Sequence, residues 1–227
     1  MRDLVVVHSS DLHIDGNQSE EFHPLCKVLE AARAVAADML LLAGDIFEHN
    51  RLPLALLDRT ARLLDDAGIP VVILPGNHDC LVPGSVYRRG GIGDVPNVYV
   101  LGVSAGERLL FPEHDLEVWG RPHLDYANMS PLREPPPRAA GRRIAMAHGH
   151  WLAGPIDLHR SWLIRDEEIA AAAADYVALG HWPQALAVGD GRTLAYYSGS
   201  PDLARTVNLV RLKGDGSVEV SRLPLGP

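Results

Sequence analysis

Three consecutive polar residues that can bind a metal ion or transfer a proton follow an apolar run near the middle of the chain. The run spans residues 69–74, a Pro-Gly pair breaks it, and the polar residues are Asn77, His78 and Asp79. A buried strand that ends in an amide, an imidazole and a carboxylate delivers them to the carboxyl edge of a sheet, where open α/β folds build their sites. Taken alone, the segment fits a polar turn with local hydrogen bonds equally well.

Other apolar runs of the chain end in residues of the same chemical kind. These residues are Asp11 with His13, Asp45, His148 and His181. Parallel strands of one sheet would bring all of these strand ends to one edge. Carboxylates, imidazoles and an amide oxygen together favour Mn²⁺, iron or Zn²⁺ over Ca²⁺ or a thiolate site. So many ligands indicate two ions ~3.5–4 Å apart, which stabilise the attacking and leaving oxygens of an in-line displacement. Asp45 ends the middle strand and is the natural bridge between the two ions.

The order of the predicted elements places these residues in an α/β fold. Apolar strands at residues 4–7, 39–43 and 69–74 alternate with helices at residues 20–37 and 53–67. This order predicts parallel strands joined by helical crossovers. Shorter strands are predicted at residues 98–101, 108–111, 116–119, 144–147, 176–179, 185–188, 193–197, 207–212 and 218–221. We expect two sheets packed face to face, with helices on the outside, in a single domain of residues 1–227.

Composition and charge set limits on the partners and the location of the protein. The 227 residues are 47% apolar and carry a formal net charge of −8, which weighs against broad nucleic-acid binding because that needs many Lys/Arg–phosphate contacts. Four arginines flank a proline run, Arg133, Arg138, Arg142 and Arg143. A solvated loop is favoured for them over a grip on a nucleic-acid backbone. No apolar run is long enough to span a membrane, and the cysteine spacing indicates no disulfide framework, so a cytoplasmic location is expected.

Six motifs between residues 8 and 201 resemble those of a known enzyme family. They are His8-x-Ser10-Asp11-x-His13, Gly44-Asp45-x-Phe47, Gly76-Asn77-His78-Asp79, His148-Gly149, Ala178-Leu179-Gly180-His181 and Tyr197-Ser198-Gly199-Ser200-Pro201. Together they resemble the calcineurin-like metallophosphoesterases, and in particular the phosphodiesterase domain of SbcD-type DNA repair exonucleases. The resemblance implies a four-layer αββα sandwich of two mixed β-sheets flanked by helices. It also implies hydrolysis of phosphodiester bonds by a metal-bound hydroxide at a binuclear centre, in a nuclease or a nucleotide phosphodiesterase.

The resemblance further implies a role for each motif residue. The first metal ion would be held by Asp11, His13 and Asp45, and the second by Asp45, Asn77, His148 and His181. His78 would protonate or stabilise the leaving oxygen, and Asp79 would orient its imidazole. Two divalent ions are expected, with Mn²⁺ favoured and iron, zinc or nickel as alternatives. Further candidates for contact with the substrate are Arg88, His123 and His150.

The chain departs from the family pattern at one expected metal ligand. The last family motif is Gly-His-x-His, and its second histidine binds the first metal ion. Pro183 occupies that place here and cannot coordinate through its side chain. We therefore expect a weaker first site, unless Gln184, a backbone carbonyl, another histidine or water substitutes.

The substrate and the partners stay open at the level of the sequence. A phosphate ester is expected as substrate, including a nucleotide or a nucleic acid. Two alternatives to a phosphodiesterase remain, namely a phosphomonoesterase of the same fold and a metal-binding but weakly active module that binds a partner. SbcD-type nucleases carry additional C-terminal regions for DNA and for their ATPase partner, whereas this sequence ends soon after the phosphoesterase core, which counts against both DNA processing and that partner. The oligomeric state is not indicated.

Overall fold

The structure is a computed structural model that describes residues 2–16, 24–154 and 160–226. The strands are β1 (Leu4–Ser9), β2 (Met39–Ala43), β3 (Val71–Leu74), β4 (Val98–Val100), β5 (Arg108–Phe111), β6 (Leu116–Gly120), β7 (Arg142–His148), β8 (His150–Trp151), β9 (Leu163–Ile164), β10 (Tyr176–Gly180), β11 (Leu186–Val188), β12 (Leu194–Tyr197), β13 (Thr206–Leu212) and β14 (Val218–Pro224). The α-helices are α1 (Pro24–Ala34), α2 (Leu54–Asp65), α3 (Val86–Arg89), α4 (Asp166–Ala171) and α5 (Pro201–Ala204), and short 3-10 turns cover Ile92–Asp94 and Pro112–His114.

Two mixed six-stranded sheets form the body of the described structure. The first has the order β14-β13-β1-β2-β3-β4, and the second has the order β11-β12-β10-β7-β6-β5. Strands β1 to β4 run parallel, as do β6, β7, β10 and β12. Antiparallel strands complete the edges, namely β13 and β14 in the first sheet and β5 and β11 in the second. Strands β8 and β9 pair separately beside the second sheet.

The strands read as continuous apolar runs because both faces of each sheet are covered. Successive side chains of a strand point to opposite faces, so Leu41 packs between the two sheets while its neighbours Leu40 and Leu42 pack under the helices α1 and α2. A third core lies between the second sheet and helix α4, where Val177 of β10 meets Ile169. The resulting order of layers is helix, sheet, sheet, helix, which confirms the predicted αββα sandwich.

Most predicted elements are present within a few residues of the predicted bounds. Helix α1 begins at Pro24, and the predicted start at residue 20 lies outside the described residues. Helix α2 follows Pro53, which has extended backbone angles and is the residue before the helix rather than its first residue. Helix α2, the longest helix in the described ranges, has 12 residues, fewer than the ~20 needed to cross a bilayer.

Of the four arginines predicted to lie in a solvated loop, the last two do not lie in it. Arg142 and Arg143 are the first residues of β7 and are buried, so neither a solvated loop nor a grip on nucleic acid describes them. The Arg143 guanidinium pairs with the buried carboxylate of Glu117 on β6 and donates to the carbonyl oxygens of Ala172 and Pro136. The reason is tertiary, because a carboxylate on a neighbouring strand compensates the buried charge.

Candidate metal centre

Five strand ends converge at one end of the sandwich. Strands β1, β2 and β3 come from the first sheet, whereas β7 and β10 come from the second. The prediction that all five lie at the edge of one sheet is therefore wrong, and the site instead spans two sheets whose parallel strands end on the same side. Contacts between the sheets hold it together, since His148 donates from Nδ1 to the Ala43 carbonyl oxygen at 2.9 Å and the His181 amide donates to the Asp11 carboxylate at 3.0 Å.

One group of donor atoms contains the four residues predicted for the second metal ion. Nε2 of His148 lies 3.1 Å from Oδ2 of Asp45 and 3.1 Å from Oδ1 of Asn77. Nδ1 of His181 lies 3.2 Å from the same amide oxygen. Because a backbone carbonyl accepts from Nδ1 of His148, its Nε2 is the ring nitrogen that faces the other donor atoms of the group.

A second group contains the residues predicted for the first metal ion. Ligand atoms of Asp11, His13 and Asp45 all lie within 4.8 Å of one another. Asp45 belongs to this group and also to the group with His148 and His181, so its carboxylate lies where the predicted bridging ligand would lie. The Asp11 carboxylate also accepts from the hydroxyl of Ser10 at 2.5 Å, which leaves its position fixed.

The backbone at these strand ends adopts conformations that side chains rarely take. The angle φ is 55° at Asp11, 48° at His13, 53° at Asp45 and 99° at His181. Such left-handed conformations cost on the order of 1–3 kcal/mol each and persist where surrounding contacts enforce them. Here the strained turns aim the side chains of consecutive loops at one point.

Close approach of the sheets depends on a glycine. A Cβ atom on Gly180 would lie 1.9 Å from the Ala43 carbonyl oxygen and 2.8 Å from Nδ1 of His148. These distances are well inside van der Waals contact, so a side chain at this position would push β10 away from β2. Gly180 therefore lets the predicted metal ligands of the two sheets approach one another.

Burial and charge separate the pKa values of the clustered groups. Burial alone would lower the pKa of His148, but the adjacent Asp45 carboxylate outweighs it and raises that pKa to about 9. Burial alone would raise the pKa of Asp45, yet the charge and hydrogen bond of His148 keep it well below its usual range. Burial, with the Asp45 charge adding to it, raises the pKa of Asp11 to about 6. Asp11 and Asp45 are thus two buried carboxylates close to one another, and a divalent cation bound beside them would stabilise the charged form of both.

His78 stands beside the first group, and Glu48 holds it there. Its Nδ1 donates to the Glu48 carbonyl oxygen at 2.9 Å, which leaves Nε2 for a substrate. The Glu48 carboxylate lies 2.7 Å from Nδ1 of His13, and the rings of His13 and His78 meet edge to face at 4.8 Å. Sequence reasoning missed Glu48, although its position directly after the Gly44-Asp45-x-Phe47 motif was a usable signal.

Asp79 does not orient the ring of His78, so that predicted role is wrong. Its fully buried carboxylate accepts from the backbone amides of Ile46, Phe47 and Gly76 at 2.8, 3.2 and 2.7 Å. It also accepts from the hydroxyl of Tyr87 at 2.6 Å. Chain direction explains the difference, because Asp79 turns inward beneath the loops while His78 turns toward solvent. Asp79 thus fixes the two loops that carry Asp45 and Asn77.

The three predicted substrate contacts lie in different settings. His123 is fully buried and donates from Nε2 to the His148 carbonyl oxygen at 2.8 Å, which contradicts contact with a substrate, because the loop after β6 passes beneath β7. His150 is mostly buried and borders a cavity next to His181. Arg88 is exposed on α3, and its role stays a prediction.

Comparisons with known proteins identify the class to which this fold and site belong. A solved structure, that of TT1561 of Thermus thermophilus, has the same fold, with a TM-score of 0.64 over 96% of this chain and 98% of that chain at 13% identity. The family model described as calcineurin-like phosphoesterase matches residues 4–206. The chain belongs to the calcineurin-like phosphoesterase family, as its motifs predicted.

Two curated relatives extend this finding. UDP-2,3-diacylglucosamine hydrolase of Stenotrophomonas maltophilia (strain K279a) is 31% identical over 119 residues, which cover 50% of this chain and 47% of that protein. The SbcD component of the SbcCD nuclease of Bacillus subtilis (strain 168) is 25% identical over 86% of this chain and 61% of that protein. The chain thus spans roughly half to three fifths of the length of these relatives. The similarity to SbcD-type proteins is confirmed.

Proposed function

We propose that this protein is a metal-dependent phosphoesterase that cleaves phosphodiesters at a centre for two divalent ions. The observation that carries the proposal is the pair of ligand groups that share Asp45, with His78 beside them. In this proposal Asp11, His13 and Asp45 hold one ion, and Asp45, Asn77, His148 and His181 hold the other. Members of this family use such a binuclear centre.

The residues present fit divalent ions in number and in chemistry. Carboxylates, imidazoles and an amide oxygen suit borderline-hard ions such as Mn²⁺, iron or Zn²⁺, and Mn²⁺ is our first choice. When bound, a pair of such ions neutralises phosphoryl charge and activates water for in-line attack. The first site has fewer ligands than the family pattern, because Pro183 stands where a histidine is expected, and we expect that site to bind its ion more weakly.

The side chains around the ions have separate tasks in the proposed reaction. His78 is half-buried and presents Nε2 toward solvent, so it is suited to donate a proton to the leaving oxygen. The Glu48 carbonyl oxygen holds the His78 ring in the required tautomer. The Glu48 carboxylate holds His13 so that Nε2 of His13 remains available to an ion.

The names of the relatives indicate the class of ester. One name refers to a UDP sugar derivative and the other to a nuclease, and both kinds of substrate contain nucleotides joined through phosphoester or pyrophosphate bonds. We therefore propose a nucleotide or nucleic-acid phosphoester as substrate and favour diesters over monoesters.

A direct assay tests the proposal. Hydrolysis of bis(p-nitrophenyl) phosphate and of p-nitrophenyl phosphate is measured with added Mn²⁺, together with metal content per chain. We expect the diester to turn over faster, and His78→Ala and Asp45→Asn each to lower its turnover at least about a hundredfold. His114→Ala is the matched histidine control, because His114 precedes β6 at the opposite end of the sheet. Bound metal without turnover of either ester would instead favour a binding module.

A further inference from the structure

A cavity opens directly beside the metal centre and is not used by the proposed chemistry. It has a volume of about 390 Å³ and is bordered by His181, the last predicted metal ligand. Its other lining residues are His150, Arg160, Trp182, Pro183 and Gln184. Because His181 borders both the cavity and the predicted metal centre, a substrate with its phosphate at the metal ions can place its remaining part in this cavity.

Among the described residues, the lining of this cavity consists mainly of flat polar and aromatic groups and contains no acidic side chain. Its described side chains are an indole, two imidazoles, a guanidinium, an amide and a proline ring. The described residues of this set include no aliphatic side chain, whereas an adjoining cavity that shares His150, Arg160 and Trp182 with it is also lined by Leu152, Ala153 and Leu186. In a chain of net charge −8, the described part of this lining has one arginine and no carboxylate, which suits an anionic ligand. Flat aromatic heterocycles are the groups that such walls bind by stacking.

Trp182 is held as a preformed wall of this cavity. Its ring lies 4.9 Å from the ring of His150 at an interplanar angle of 46°, and it lies 6.3 Å from the ring of Tyr197. The side chain stays partly exposed, so one face is available to a ligand. Trp182 directly follows His181, and Pro183 then rigidifies the chain, which fixes the indole relative to the metal ligand.

We propose that this cavity binds the nucleoside part of the substrate, with the base stacked on Trp182. The proposal names the binding site for the substrate class proposed above and rests on that function only for the link to catalysis. It also gives a role to the Trp182-Pro183 pair, which replaces a metal ligand with a wall for a base. Gln184, exposed at the rim of the cavity, presents amide groups that can hydrogen-bond to the edge of a base.

Binding to the metal-free protein tests the nucleoside site without reference to turnover. AMP, UMP and ribose 5-phosphate are titrated against protein in excess chelator, and binding is followed by tryptophan fluorescence and by calorimetry. We expect AMP and UMP to bind at least about tenfold more tightly than ribose 5-phosphate, which has the phosphate but no base. Equal affinity for all three ligands would overturn the proposal.

Variants locate the binding site. Trp182→Ala should weaken AMP binding about tenfold, in keeping with the loss of one base–aromatic stack, and Trp182→Phe should retain most of the affinity. The control is Leu110→Ala, because Leu110 is an exposed apolar residue on β5, at the edge of the second sheet opposite β11. Unchanged AMP affinity in a folded Trp182→Ala protein would also refute the proposal.

The two proposals fail in different ways. AMP binding that depends on Trp182, without hydrolysis of any ester, would leave the nucleoside site in place and reject the phosphoesterase. Hydrolysis of bis(p-nitrophenyl) phosphate without a preference for AMP over ribose 5-phosphate would reject the nucleoside site alone.

Discussion

Replacement of Asp79 by asparagine tests how the loops of the metal centre are held. The Asp79 carboxylate is surrounded only by donors, namely three backbone amides and one tyrosine hydroxyl, so it must act purely as an acceptor. Oδ2 serves Ile46, Phe47 and Tyr87, and Oδ1 serves Gly76. An asparagine oxygen can keep the first set of contacts, but its NH₂ group then faces the amide of Gly76, donor against donor.

The magnitude follows from these contacts. Loss of the Gly76 bond leaves a buried donor without a partner, which costs about 1–3 kcal/mol. The remaining bonds lose their charge assistance, a further penalty. Part of the cost is offset, because burial and the nearby Asp45 charge raise the pKa of the Asp79 carboxyl, so the charge that is removed was itself unfavourable. We expect Asp79→Asn to lower the free energy of unfolding by about 2–3 kcal/mol.

The variant should also bind metal ions less well. Gly76 precedes Asn77, and Ile46 follows Asp45, so release of these amides loosens two predicted ligands. Mutation of a residue that orients a metal ligand typically lowers metal affinity about 10–100-fold. Urea unfolding of the metal-free protein measures the stability, and calorimetric titration with Mn²⁺ measures the affinity. Tyr87→Phe is the matched control, because it removes one bond to Oδ2 while all three amides keep theirs, and should cost about 1 kcal/mol.

A specific result would refute this reasoning. If Asp79 acted through the imidazole of His78, Asp79→Asn would lower kcat while unfolding and Mn²⁺ affinity stayed the same as in the original protein. That outcome would mean that the contacts of Asp79 with the loop amides do not control the site.

Three further perturbations test other contacts of the structure. Glu48→Ala should weaken Mn²⁺ binding about 10–100-fold by releasing His13, as measured by calorimetry, and an unchanged affinity would show that Glu48 does not position this ligand. Chelation should lower the melting temperature by about 5–11 °C, because an ion present at a hundred times its Kd adds about 2.7 kcal/mol to the free energy of unfolding. Scanning fluorimetry with and without chelator measures this difference, and coincident melting curves would contradict the prediction. Arg143→Ala should cost about 3–5 kcal/mol in denaturant unfolding, because it leaves the Glu117 carboxylate buried and unpaired. Arg138→Ala, which breaks the more exposed pair with Asp175, should cost less than about 1 kcal/mol, and equal losses in the two variants would argue against this difference.

Chain topology limited what could be predicted about the site. The ligands from β1, β2 and β3 follow directly from a parallel βαβ order, because polar residues after apolar strands must meet at one edge. The contribution of β7 and β10 could not be placed in the same way, since nothing in the local pattern says that these strands belong to another sheet. The assignment of residues 1–227 to one domain stays a prediction.

The sequence by itself determined the class of fold, the family and the identities of the residues that cluster as candidate metal ligands, because strand periodicity and residue chemistry are local properties. Only the tertiary structure decided which groups surround each imidazole and carboxylate. In the structure, the Asp79 carboxylate binds the loop amides instead of His78, and His123 is buried beneath β7. Arg143 pairs with Glu117, and Glu48 contacts both His13 and His78. These outcomes depend on contacts between residues far apart in the chain, and the direction in which a side chain leaves a strained turn is set by such contacts rather than by its neighbours in sequence.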